Sequence, residues 1–130
     1  MSHWSDAYIG RPYIPGVADC MHLAEEIAVD VLKINPKLPQ THETSLRKQA
    51  EQIDSLKADY ATKVSEPIDG HPVLFIARGR FYHCGVAAII NGNPWILHND
   101  QSAGMVIRQK IRDITLLHFK LEGFYKWIAS

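Results

Sequence analysis

The residue pattern predicts an α+β fold, with a helix near the start packed on an antiparallel sheet of about five strands. Apolar residues step by three and four through the first half of the 130 residues, and short β-branched or apolar runs separated by turn residues fill the second half. No repeat, low-complexity tract or interdomain linker divides the chain, so residues 1–130 read as one domain.

The opening "YIGRPYIPGVADC" carries Gly10, Pro12, Pro15 and Gly16, which punctuate too often for a helix or a long strand and predict an ordered loop. From Asp19 the spacing of Leu23, Ile27 and Val31, with Ala24 and Ala28 beside them, predicts a helix that "INPKLP" stops, and Asp19 is its natural N-cap. Leu46, Ala50, Ile53, Leu56, Tyr60 and Val64 predict a second, one-faced helix over 44–64. After "SEPIDG", the runs "HPVLFIA" and "HCGVAAII" read as strands joined by the turn-like "RGRFY". "NGNP" turns into "WILHN", the polar "DQSAG" follows, and "MVIRQKI" and "FKLEGFYKWI" complete the strands.

Fourteen basic residues balance fourteen acidic ones, so no net field steers the chain onto nucleic acid or an anionic membrane. No apolar run is long enough to span a bilayer, and "MSHWSDAY" has neither the basic patch nor the apolar stretch of a secretory signal. The expectation is a chain cytoplasmic as synthesised, with its two cysteines, Cys20 and Cys84, reduced.

The chemistry concentrates at "GVADCMHLAEEIAVDVL", where Cys20 opens a helix. A thiol is a weak nucleophile near neutral pH unless its pKa is lowered, and a helix N-terminus and a neighbouring imidazole both lower it. His83 opens one predicted strand and His98 closes the next across "NGNP", so antiparallel pairing brings the two together as base and orienting residue. The bland alternative is that Cys20 is a small buried hydrophobe at a helix start. Seven histidines make chance pairings easy. His3 and His42 read as surface residues, His71 as part of a turn, and His118 as lining the last strands. His22 lies on another face of the helix from Cys20 and reads as a groove residue. Cys84, next to His83, faces the opposite way on the strand and is expected away from the site.

These segments resemble the NlpC family of cell-wall cysteine peptidases. "YIGRPYIPGVADCMHL" is similar to that family's Y-x-G-x-P-Y-x-x-G-G-x-D-C-S-G-L, "DGHPVLF" to its G-D-L-V-F-F strand, and "HCGVAAIINGNPWILHN" to its H-V-G-I-Y-L-G-x-G-x-x-I-H-A. "LPQTHETSLRKQ" resembles the segment linking that family's first helix to the next, and the chain, with its closing "EGFYKW", is similar to compact members found with phage tails and prophages. The resemblance implies a papain-like core and a triad of Cys20 as nucleophile, His83 as base and His98 as orienting residue. It implies hydrolysis of peptidoglycan peptide stems between D-glutamate and a diamino acid, without a cofactor. Tyr13 and Tyr8 match aromatic residues that line such sites, and Asp19 matches an acidic residue that can bind the substrate's amine; His22 completes the substrate-binding set.

The sequence also departs from the family. Met21 and His22 replace Ser-Gly after the cysteine, which predicts a narrower or differently specific groove; Val17 replaces a glycine, and His71-Pro72 stands where the family has an acid. Three rivals share these residues: a catalytically silent phage tail or assembly module, a cysteine amidase or acyltransferase, and a zinc site drawn from Cys20, His22, His83, Cys84 and His98. The zinc site fits poorly, because the spacing matches no compact zinc module and adjacent strand residues cannot both point inward.

Overall fold

The computed structural model describes residues 2–14, 20–36, 59–77, 81–116 and 119–128. The expected N-cap Asp19, the greater part of the expected second helix, His42, His118 and the turn at 78–80 lie outside the described residues.

The order of elements is a 3-10 helix Trp4–Tyr8, α1 Cys20–Asp30, β1 Ala61–Val64, β2 Pro72–Ala77, β3 Phe81–Ile90, β4 Asn93–Asp100, β5 Met105–Lys110, a short α2 Ile111–Thr115 and β6 Phe119–Trp127. The six strands form one antiparallel sheet in the order β1-β6-β2-β3-β4-β5. This is an α+β fold with one strand more than the pattern predicted. The extra strand is β1, where the expected second helix ran on to Val64. Asp59 and Tyr60 are helical, but Ala61–Val64 pair with Phe124–Trp127 of β6. Thr62 and Val64 are β-branched, so a waiting edge decided their conformation against the helical spacing of Tyr60 and Val64.

The sheet buries both faces because alternate residues go to opposite sides. On one side Leu74, Cys84, Val86, Leu97, Val106, Tyr125 and Trp127 pack with Leu23, Ala24, Ile27 and Ala28 of α1. On the other, Val73, Phe75, Ala87 and Ile96 pack with Ile114 of α2, flanked by Phe119, Leu121 and Phe124. Ile27 and Ile96 have no exposed surface. Each such side chain contributes roughly 1.5–3 kcal/mol by its removal from water.

Two local devices hold the strands in register. Asn91 and Gly92 both take positive φ (52° and 80°), the type I′ turn whose twist matches the β3–β4 hairpin. The segment before α1 is tied to the start of β5. The Gly10 N–H donates to Val106 O at 2.9 Å, Val106 N–H to Arg11 O at 2.8 Å and Tyr13 N–H to Gly104 O at 3.0 Å. The 3-10 helix is fastened beside it. Arg108 donates to Ser5 Oγ at 2.7 Å and pairs with Asp6, and Trp4 Nε1–H donates to Asp69 Oδ2 at 2.9 Å. Asp69 also accepts the Ile89 backbone N–H at 2.7 Å, so one carboxylate joins the N-terminal segment to β3.

Among the described residues no helix is long and apolar enough to cross a membrane.

Candidate active site

The sheet divides at one end. β3 and β4 are paired from Ile90/Asn93 to Val86/Leu97, and among the described residues the ladder stops there, although β3 reaches back to Phe81 and β4 on to Asp100. Beyond that point β3 stays with β2, where Phe75 faces His83, and β4 stays with β5, as far as the pair Asp100 and Met105. His83 lies on one arm of this fork and His98 on the other.

The two rings meet across the gap. His83 Nε2 and His98 Nδ1 are 3.0 Å apart with the rings almost perpendicular, at 81°. His98 Nε2 in turn lies 2.9 Å from Oε1 of Gln109 on β5. The juxtaposition expected from the hairpin is therefore present, and a third partner that the sequence pattern does not mark extends it. Gln109 pairs across the ladder with Ile96 and reaches His98 diagonally, a relation that strand alternation alone does not single out. Phe119 stacks on His83 at 4.8 Å and meets His98 edge-on at 6.0 Å, covering the pair with apolar surface.

That cover sets the electrostatics. Burial first, and then the neighbouring His98, push His83 down to about 3. His98 is fully buried and also lies below the ordinary histidine value, through burial partly opposed by its bond to Gln109 and by the charge of Asp100. Both imidazoles are accordingly neutral near pH 7, so each ring keeps one unprotonated nitrogen. With Gln109 Oε1 as acceptor, His98 carries its proton on Nε2 and accepts at Nδ1. His83 then donates from Nε2, and its Nδ1 keeps a free lone pair.

Gly85 makes the meeting possible. A Cβ there would lie 2.7 Å from Ile96 Cγ2, 3.3 Å from Leu97 O and 3.4 Å from His98 Cβ. Gly85→Ala should therefore cost about 1–3 kcal/mol of stability, since the obstructing methyl belongs to a fully buried residue, and should displace His98. A urea titration reads the first effect, and the histidine ring NMR signals read the second. An unchanged midpoint with unchanged ring signals would contradict the close approach.

His71 is a third neutral buried histidine. It is 7% exposed, its Nδ1 accepts the Trp127 N–H at 3.2 Å, and burial, then Lys126, lower its pKa against a smaller opposing effect of Asp69. For all three histidines the folded pKa lies below the unfolded value of 6.5. Their contribution is complete above that pH and is lost as acid drives protons onto the unfolded chain. Stability should fall between pH 6.5 and about 3, the lower limit being that of His83. The fall is up to about 1.4 kcal/mol per pH unit for each ring kept neutral. Urea midpoints at pH 7, 5.5 and 4.5 measure it, and a flat series would be inconsistent with three neutral buried rings.

Cys20 begins α1 and is 5% exposed. It lies at the forked end of the sheet. His22 and Leu23 share a small cavity of about 30 Å³ with Asn99 and Val106, whereas Leu32, just past the helix, sits against Gly70, whose N–H bonds Ala87 O. The thiol belongs to the α1-side cluster, while His83 and His98 project from the opposite face under Phe119. The structure thus brings the two histidines together and places the sulfur across the fork from them. Alternation does separate Cys84 from His83 as expected, but it is Cys84, 5% exposed, that shares the α1-side cluster with Cys20. Cys84 is thus a core residue facing away from the histidines, as expected, but it is not away from Cys20. Neither cysteine is in a disulfide.

The remaining expected residues separate. Tyr8 does not serve the thiol. Its hydroxyl donates to Asp30 Oδ2 at 3.2 Å, at the opposite end of α1, about 15 Å along the axis from Cys20 by helix rise. Its ring is 5% exposed beneath the Arg11 guanidinium, at 4.2 Å, and burial followed by the Asp30 charge raises its pKa. The "Y-x-G" motif gave no sign of a partner so distant in sequence. Tyr13 is half-buried in the segment tied to β5. His22 is half-exposed, with Nε2 3.7 Å from Glu26 Oε2, on the wall of the small cavity that Arg11, Pro12 and Glu26 also line. That cavity admits about one water.

No family model matches the chain, and no curated protein or solved structure matches it. Among the described residues no three His, Cys, Asp or Glu side chains gather in a way that could hold a metal ion.

Proposed function

We propose that the chain is a cysteine peptidase that hydrolyses peptide stems of bacterial peptidoglycan at a bond of the D-glutamyl–diamino acid type. Cys20 is the nucleophile, His83 the base and His98 the residue that orients it. The observation that carries this reading is the neutral imidazole pair across the fork, His83 Nε2 to His98 Nδ1 at 3.0 Å. A structural core gains nothing from two desolvated imidazoles that apolar residues could replace, so their cost points to use. The resemblance to the NlpC family supplies the substrate class, and the likeness to its compact phage members makes a tail-associated component the proposed setting.

In the reaction, Nδ1 of His83 takes the Cys20 proton and the thiolate attacks the amide carbonyl. The backbone N–H of Cys20 at the helix start stabilises the oxyanion. His83 protonates the leaving amine, and water, activated by the same ring, releases the thioester. In the structure the sulfur and the two rings lie on opposite faces of the sheet, so the reaction requires the forked end to bring them together. Digestion of purified muropeptides followed by mass analysis tests the proposal. New free diamino-acid amines with matching D-glutamyl carboxylates are expected, and intact muropeptides after prolonged incubation would refute it.

The placement of Cys20 and the histidines on opposite faces favours a second reading, a catalytically silent tail or assembly module on the same scaffold. Iodoacetamide at mildly acidic pH separates the two, since only an activated thiol reacts quickly there. An amidase or acyltransferase would show the same fast labelling but pass the acyl group to an added amine, which mass analysis of the products detects.

A further inference from the structure

We infer that Gln109 is a positioning residue whose side-chain amide sets the proton order of the His98–His83 pair. Gln109 is half-buried on β5, and its Oε1 lies 2.9 Å from His98 Nε2. A neutral imidazole has one donor and one acceptor nitrogen, so whatever the amide presents to His98 passes to His83. With oxygen presented, His98 is an Nε2–H tautomer, its Nδ1 accepts from His83 Nε2–H, and Nδ1 of His83 is left basic. With the NH₂ group presented, every donor in the row reverses: His98 donates from Nδ1, His83 accepts at Nε2, and Nδ1 of His83 carries a hydrogen and can take no proton. One amide rotation therefore separates a competent base from an incompetent one. Phe119 packs against both rings and limits their access to water, which would otherwise relax the order.

The proton order itself is a property of the folded chain, while its catalytic consequence rests on the peptidase reading. The experiment keeps the two apart. Long-range 1H–15N NMR of the full chain with 15N-labelled histidine at pH 8 should show both His83 and His98 protonated at Nε2. Gln109→Glu, which can only accept, should preserve that signature at this pH. Gln109→Lys, which can only donate, should move the His83 proton to Nδ1. If wild-type chain hydrolyses stem peptides, Gln109→Lys should also lower kcat by roughly a hundredfold or more with KM nearly unchanged, because a base in the wrong tautomer cannot accept the proton. A wild-type His83 already protonated at Nδ1 would overturn the inference, as would a folded Gln109→Lys variant with the wild-type signature. Correct signatures in a chain that cleaves no peptide would leave Gln109 as the determinant of the order and remove the peptidase.

Discussion

Cys20→Ala should abolish hydrolysis of a peptidoglycan stem peptide, a loss of at least roughly a thousandfold in kcat, because no other group in the reaction can form the acyl intermediate. The fold should survive. Cys20 is a small buried side chain in a cluster of aliphatic, sulfur-bearing and aromatic residues, and trimming its sulfur costs about 1 kcal/mol. Turnover of purified muropeptides measured beside a thermal melt checks both halves. Retained turnover would end the assignment of Cys20 as nucleophile, and a collapsed melt would show that the sulfur is chiefly packing.

The second large effect is an ordering. His83→Ala should cost roughly a thousandfold in kcat, and His98→Ala only about ten- to a hundredfold, since the first removes the base and the second only what aims it. Water can enter the space vacated by His98 and bond His83 Nε2, whereas no other described nitrogen base is placed at His83 Nδ1. Equal losses, or a larger loss for His98→Ala, would reverse the roles. The two variants should also differ in acid stability. Removing His83, the ring lowered to about 3, should flatten the stability profile furthest into acid, whereas His98 has its burial partly offset by Gln109 and Asp100.

How much of this was legible beforehand depends on whether the information was local. Strands β2 to β6 announced themselves through β-branched or apolar runs between turn residues, and "NGNP" marked its hairpin because Asn91 and Gly92 tolerate positive φ. The meeting of His83 and His98 followed from that hairpin. What stayed hidden was set by partners distant in the chain. Ala61–Val64 became a strand because β6 offers an edge to it, and Tyr8 gave its hydroxyl to Asp30. Gln109 reached His98 along a diagonal that pairing rules do not single out. The face on which His83 projects was equally hidden. Alternation says only that His83 and Cys84 oppose each other, and tertiary packing chose which of them joins α1.

The strand order also constrains the sequence of events during folding. Strands β2, β3, β4 and β5 are neighbours in space in the order in which they occur along the chain, so this part of the sheet can zip from one hairpin to the next. β1 cannot, because its one sheet neighbour among the described residues, β6, follows it by more than fifty residues. A nascent chain halted short of Phe119 therefore displays residues 61–64 with no ladder to join, and the Ala61–Trp127 end of the α1-side core closes last. In pulse-labelled hydrogen exchange the amides of β1 should gain protection no earlier than those of β6, well after the central hairpins.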